Sequence, residues 1–388
     1  DLVRDDRPGR MSPLVDEVSR KSMDERPLVV VIDSAKALQD FTGERELRMA
    51  LYDLTSRLAH TEAALLLVGE YTEDEMTAGV EFSIADTIIH LAYEPREPID
   101  RRWVRVVKMR GTHHLEGKHT FRISPAGFEV FPRIETLDPG APKAVSGRIP
   151  SGIPGLDKIM GGGIGAGEAT VLLGPSGVGK TIAGLRFVAE GVAQSERCLY
   201  VTFQDTPEQL VEMAATFDWD LGTARTKGQL VVHHVPLGEL DLDVLTSRIR
   251  TELVDGSIQR VVIDSLAEMV FATRESHRFP AYARSLTGLI RASGASLLMS
   301  SETTTLGASP EPIGGVTFLF HNVILMRYIE MDSEIGRAVN IVKMRNSDHR
   351  KGTFGFTVGA DGVTIGEPLH SVTGVLGWSA LRTPLIPN

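Results

Sequence analysis

The stretch Gly174-Pro-Ser-Gly-Val-Gly-Lys180-Thr181 constrains this chain more than any other. It has the GxxxxGK[ST] spacing of a phosphate-binding loop. It follows the apolar run Ala169-Thr-Val-Leu-Leu173 and opens into Ile182-Ala-Gly-Leu-Arg-Phe-Val-Ala-Glu190, so a strand, a tight turn and a helix are expected. Glycines let backbone N–H groups turn inward around phosphate oxygens, and the helix N-terminus adds partial positive charge at the same point. Gly174, Ser176, Gly177, Val178, Gly179, Lys180, Thr181 and Ile182 are therefore the candidate nucleotide-binding residues. Lys180 is expected to reach the β/γ-phosphates and the Thr181 hydroxyl to ligate Mg²⁺.

Two later strands carry matching chemistry. Val261-Val-Ile ends in Asp264, a carboxylate placed to hold Mg²⁺ through water. Leu199-Tyr-Val-Thr-Phe203 ends in Gln204-Asp205, where ATP hydrolysis needs a group that orients or deprotonates water. Asp205 can act as a base, whereas Gln204 can only orient by hydrogen bonds. The same pair could instead cap the helix that Thr206-Pro announces.

At 388 residues, two or three domains are expected. The net charge of −10 argues against a chain built mainly to hold nucleic acid, although a local basic groove is compatible with it. A lone cysteine, Cys198, excludes an internal disulfide and reads as a core residue, which suits a reducing, cytoplasmic setting. No apolar run approaches the ~18 residues of a membrane span.

The chain also repeats itself. A strand ending in a carboxylate occurs at Pro27-Leu-Val-Val-Val-Ile-Asp33 and again at Arg260-Val-Val-Ile-Asp264. A second buried strand ends near Glu70 and again at Glu302, and Lys108-Met-Arg110 returns as Lys343-Met-Arg345. The offsets are 231, 232 and 235 residues, so two tandem copies of one α/β domain are expected. The expected divisions are residues 1–137 for the first copy, 138–150 for a Pro/Gly-bearing linker, 151–370 for the complete second copy and 371–388 for a frayed tail. Lys180 precedes Asp264 by 84 residues. The same spacing before Asp33 falls ahead of residue 1, so the first copy is expected to lack its phosphate loop and N-terminal half here.

Lys343-Met344-Arg345 alternates cation, apolar, cation, which on a strand sends both cations to one face. Arg337 lies six residues before Lys343 and His349 six after; Arg102 and His114 flank Lys108 and Arg110 in the same way. Such cations offered across a subunit interface could neutralise charge on a neighbour's γ-phosphate.

Together these residues resemble the KaiC family of RecA-superfamily ATPases. The opening Ser151-Gly-Ile-Pro-Gly-Leu-Asp157, Gly161-Gly-Gly163, the phosphate loop, Phe217-Asp-Trp219-Asp-Leu221, the Ile-Asp-Ser strand and the Lys-Met-Arg segments carry the resemblance over about residues 11–370. It implies tandem RecA-like domains with mostly parallel central sheets. It implies a six-membered homo-oligomeric ring with ATP at subunit interfaces, Mg²⁺ as cofactor and slow hydrolysis. Lys-Met-Arg would act on the neighbour's nucleotide, and Phe217 lies where the family packs around adenine, though core packing is the alternative. The circadian clock member also autophosphorylates on Ser and Thr and binds small clock partners, so a KaiB-like partner belongs to the same expectation. Two departures matter. The family's Glu-Glu pair is Gln204-Asp205 here, which weakens the case for an autokinase more than that for a hydrolase. The clock protein's Ser-Thr pair has no counterpart in Pro312-Ile-Gly-Gly-Val-Thr317, where Thr317 is the one candidate acceptor. A DNA-dependent motor with the same core and an ATP-binding scaffold with little turnover are the alternatives.

Overall fold

Helices and short apolar strands alternate from the start: α1 (Met11–Glu25), β1 (Val29–Asp33), α2 (Glu44–Leu58), β2 (Ala64–Val68), α3 (Glu73–Ala78), α4 (Val80–Ile84), β3 (Thr87–Glu94) and β4 (Arg101–Met109). This computed structural model describes residues 11–40, 42–95, 100–255, 257–272, 277–303, 317–331, 334–345, 347–360, 362–369, 372–373 and 381–382. They belong to two compact units. One runs to His90 and adds Arg105–Glu116; the other comprises Leu91–Val104 and the chain from Gly117 onward.

In the first unit β1 and β2 pair in parallel, Val29 opposite Ala64 through Asp33 opposite Val68. The helix α2 places Leu47, Leu51, Leu54 and Leu58 on one stripe, and all four are buried. With Met11 and Val15 of α1 they cover the Val30, Ile32, Leu65 and Leu67 face of the pair. Each such leucine contributes about 1.5–3 kcal/mol by leaving water. The opposite face, with Val29, Val31, Leu66 and Val68, is exposed.

The second unit adds β5 (His119–Ser124), β6 (Gly127–Phe131), β7 (Arg148–Ile149), α5 (Pro154–Ile159), β8 (Ile164–Gly165), β9 (Ala169–Gly174) and α6 (Lys180–Ala193). There follow β10 (Arg197–Thr202), α7 (Pro207–Ala215), α8 (Leu221–Thr226), β11 (Leu230–His234), α9 (Leu242–Asp255) and β12 (Ile258–Asp264). The remaining main elements are α10 (Leu266–Ala272), α11 (Phe279–Ser293), β13 (Ser296–Glu302), β14 (Asn322–Met331), β15 (Glu334–Met344), β16 (Phe354–Gly359) and β17 (Gly362–Pro368). Nine strands form one sheet in the order β11-β10-β12-β13-β9-β14-β15-β16-β17. The first six pair in parallel and the last three are added antiparallel. Every residue of β9 is buried, as a parallel strand with helices on both faces requires. The fold is thus mixed α/β around a largely parallel sheet. Its register brings Gly174, Thr202, Asp264 and Glu302 to one edge, the carboxyl edge where open α/β sheets bind ligands.

The amino edge is closed by a buried arginine. Arg260 of β12 has no exposed surface; its guanidinium pairs with Glu196, donates to the carbonyls of Pro150 (2.8 Å) and Phe187 (3.0 Å), and lies 4.6 Å from the Phe187 ring centre. A Cβ at Gly191 would sit 2.7 Å from Arg260 Cδ and 2.8 Å from Cys198 Sγ, so the close approach excludes a side chain there. Burial pushes the neighbouring Cys198 thiol up to about 12. The thiolate is the reactive form, so native protein at pH 8 is expected to resist a thiol-exchange reagent and to react only on opening. Stoichiometric labelling of native protein within minutes contradicts that packing.

Candidate functional site

Three features set the shape of the phosphate loop. Gly177 and Gly179 have φ of +73° and +114°, the left-handed region where glycine is at ease. Val178 between them is fully buried and pins the loop to the core. The fourteen-residue α6 then starts at Lys180, so its unpaired N–H groups open on the loop. Ser176 and Gly177 are exposed, and Ile182 packs against the core.

The Lys180 ammonium donates to the loop's own carbonyls, Gly174 at 2.8 Å and Pro175 at 2.7 Å. Burial lowers its pKa below the usual lysine range, opposed by the charges of Glu302, Asp264 and Glu268. The Thr181 hydroxyl donates to Asp264 Oδ2 at 2.7 Å. Tyr200 donates to the same oxygen at 3.1 Å, and Ser300 donates to Oδ1. Three hydroxyls from β10, β13 and α6 therefore fix one carboxylate at the end of β12. The Tyr200 hydroxyl is held well above its ordinary pKa by burial and by Asp264, so it stays a donor.

The structure separates Gln204 and Asp205 from the helix that follows them. Thr206 is the N-cap of α7, in a capping box with Gln209. Neither Gln204 nor Asp205 caps the helix, which corrects the capping alternative. Burial first, then the Asp264 charge, raises the Asp205 pKa, with His234 lowering it. The Gln204 side-chain nitrogen donates to Glu268 Oε1 at 2.5 Å, and Ser265 donates to Glu268 Oε2.

The cations of β15 are placed differently. Lys343 lies opposite Val323, whose other neighbour is Val171 near the start of β9. Lys343 and Arg345 therefore stand at the edge away from their own phosphate loop. The Lys343 ammonium donates to the Phe320 carbonyl at 2.7 Å, and its pKa is lowered by burial and by Arg345. Met344 is buried and Arg345 exposed. His349 is half-buried, and its buried Nδ1 has no hydrogen-bond partner among the described residues. Arg337 sits at the other end of β15, its guanidinium 5.7 Å from the Tyr328 ring centre; the Tyr328 hydroxyl is 3.4 Å from the Ser176 carbonyl. In the first unit Lys108 repeats the Lys343 arrangement, donating to the carbonyls of Phe82 (3.2 Å) and Ser83 (3.4 Å), while Arg110 pairs with Asp86 at 3.1 Å. Arg102 is exposed, 5.7 Å from the Tyr93 ring centre, and His114 is half-buried. Phe217 stacks on Trp219, which packs against the core beneath Arg186. Thr317 opens a short 3-10 turn, and Pro312–Val316 lie outside the described residues.

Sequence reasoning missed Tyr200, Ser300, Ser265, Glu268 and Glu302. Of these only Ser265-Leu-Ala-Glu268 has a local signature, and it is one shared with helix starts. Among the described residues no group of three or more His, Cys, Asp or Glu side chains is placed to hold a metal ion. No helix among them is long and apolar enough to cross a membrane. A magnesium ion that takes one hydroxyl and phosphate oxygens as ligands, with one carboxylate reached through water, suits Thr181 and Asp264.

The family described as "ATPase: KaiC" matches residues 3–135 and 149–370. The chain is 29% identical over 364 residues to circadian clock protein KaiC3 of Synechocystis sp., covering 91% of this chain and 71% of that protein. It is 24% identical over 381 residues to the circadian clock oscillator protein KaiC of Picosynechococcus sp. and 25% identical over 381 residues to that of Synechococcus elongatus. Each of these matches covers 96% of this chain and 72% of the relative.

Proposed function

This chain belongs to the KaiC family of ATPases, and from that premise we propose that it binds MgATP and hydrolyses it slowly at subunit interfaces of a homo-oligomeric ring, a hexamer. The observation that carries the reading is the hydrogen bond from Thr181 to Asp264 at the mouth of a phosphate loop whose lysine is held on loop carbonyls. Bound MgATP supplies the anhydride to be cleaved and a divalent charge across its phosphates. Lys180 leaves the Gly174 and Pro175 carbonyls to meet the phosphates. Thr181 and Asp264 would hold the magnesium ion, Asp264 through water. Asp205 takes up the proton of the attacking water, and Phe217 packs near adenine. Arg337, Lys343, Arg345 and His349 act on the neighbour's nucleotide, with Met344 anchoring their strand. The placement of Lys343 and Arg345 away from their own phosphate loop supports that role.

The same reading takes the chain as two tandem RecA-like domains, the first without its phosphate-loop half in this sequence. Arg102, Lys108, Arg110 and His114 are then the matching cations of the first domain. The nucleotide state of the ring controls the binding of partners, a KaiB-like small protein among them, in the cytoplasm. Thr317 is the acceptor to examine for Ser/Thr autokinase activity.

Molar mass and phosphate release measured together test the proposal, with and without MgATP, on wild type and on Lys343→Ala/Arg345→Ala. MgATP is expected to drive ring assembly, and the double variant to assemble yet lose roughly 10²-fold in turnover. A monomer whose turnover ignores the double substitution overturns the interface site.

A further inference from the structure

Gln204 stands just past the end of β10, beside Asp205, and has no charge with which to polarise water. Its side-chain amide has two unlike ends, and only the oxygen can accept a hydrogen bond from water. Which end faces the site is decided by what holds the other. Here the amide nitrogen donates to Glu268 Oε1 at 2.5 Å, which commits the nitrogen and leaves the amide oxygen available. The second oxygen of the same carboxylate accepts from the buried Ser265 hydroxyl, so Glu268 is itself braced. Ser265 directly follows the Asp264 carboxylate, and Glu268 is also one of the three charges acting on Lys180.

In an ordinary capping box the glutamate side chain turns back to the backbone of the residue three before it. Glu268 instead bridges Ser265 Oγ and a side chain 64 residues away in sequence. A local helix cap has no use for that second bond. We propose that Glu268 is a positioning residue for hydrolysis: it clamps the nitrogen end of Gln204 so that the amide oxygen accepts from the attacking water that Asp205 deprotonates. The carboxylate absent at position 204 is thus supplied indirectly, from the first turn of α10. This rests on the hydrolase reading above.

The test is phosphate release by the full chain as Glu268→Gln, Gln204→Ala, their double variant, and the exchange Gln204→Glu/Glu268→Gln, with thermal midpoints measured alongside. Glu268→Gln lets the Gln204 amide flip, so kcat is expected to fall about tenfold while KM for ATP moves less than about threefold. A role played only through the charge on Lys180 would appear in KM instead. In the Gln204→Ala background, Glu268→Gln is expected to change kcat by less than about twofold, because the residue it acts through is gone. The exchange variant rebuilds an oxygen acceptor at 204 held by an amide at 268, and is expected to return kcat to within about threefold of wild type. A Glu268→Gln enzyme with wild-type kcat, or a tenfold loss that persists in the Gln204→Ala background, overturns the clamp. Gln204 is exposed, so that background keeps the test open even where Glu268→Gln lowers the thermal midpoint. Absence of phosphate release by wild type overturns the hydrolase reading and the clamp with it, an outcome distinct from failure of the clamp alone.

Discussion

Asp205→Asn is expected to lower kcat for ATP hydrolysis by roughly 10²- to 10⁴-fold, the usual worth of a positioned general base. The Asp205 carboxylate is not spent on the helix that follows it, because Thr206 and Gln209 already close that helix start. Burial and the Asp264 charge raise its pKa above the ordinary carboxylate value, with His234 opposing. A raised pKa makes a stronger base, provided that the group is still ionised at working pH. The sign follows: turnover should fall as pH drops through that raised value, and the acid limb should lie above the normal range of an aspartate. Asparagine keeps the shape and cannot take the proton, so residual turnover in the variant should lose that limb. Phosphate release measured from pH 5 to 9 on both proteins checks this. An unchanged kcat in Asp205→Asn removes Asp205 as the base. Because Lys180, Thr181 and Asp264 are untouched, KM should move less than about threefold.

The largest stability effect is expected at Arg260→Ala, about 3–5 kcal/mol, the cost of breaking a buried ion pair by removing one partner. The change leaves Glu196 without its cation and leaves the Pro150 and Phe187 carbonyls unpaired by the side chain that joined them. Cys198 offers a direct readout. Arg260 draws the thiol pKa down while burial drives it up. Removing the arginine therefore makes the folded thiol less reactive, and any acceleration of labelling reports opening. In conditions where reclosing outruns labelling, that loss of stability corresponds to roughly 10²- to 10⁴-fold faster labelling. A labelling rate within threefold of wild type means that the guanidinium contributes little to holding the amino edge closed.

The phosphate loop was legible because its chemistry is local. Eight consecutive residues must carry glycine, lysine and threonine at fixed places, and the flanking apolar runs declare the strand and helix. Asp264 was legible for a similar reason, as a carboxylate closing an apolar strand. Tyr200 and Ser300 were not, since a tyrosine and a serine inside apolar runs look like any core positions. Only the parallel register, with Thr202 opposite Asp264 and Glu302 opposite Gly174, brings their hydroxyls onto one carboxylate. Glu268 was hidden by a signature that reads equally as a helix start. The alternating Lys-Met-Arg pattern announced a strand with one buried side chain. It could not say which edge of the sheet the cations occupy, because that depends on the antiparallel pairing of β14 with β15.

That pairing has a mechanical side. The strand β9, which ends in the phosphate loop, is hydrogen-bonded to β14, and β14 to β15, which bears Arg337 at one end and Lys343 at the other. A ladder of this kind is stiff along the strands, since sliding one past another breaks every rung together. It is softest where the rungs fall out of step, and β14 has such a place between Val323 and Ile324, next to Lys343. The Lys343 end of β15 therefore lies beside the irregular rung, while the Arg337 end is held in regular pairing with β14 on one side and β16 on the other.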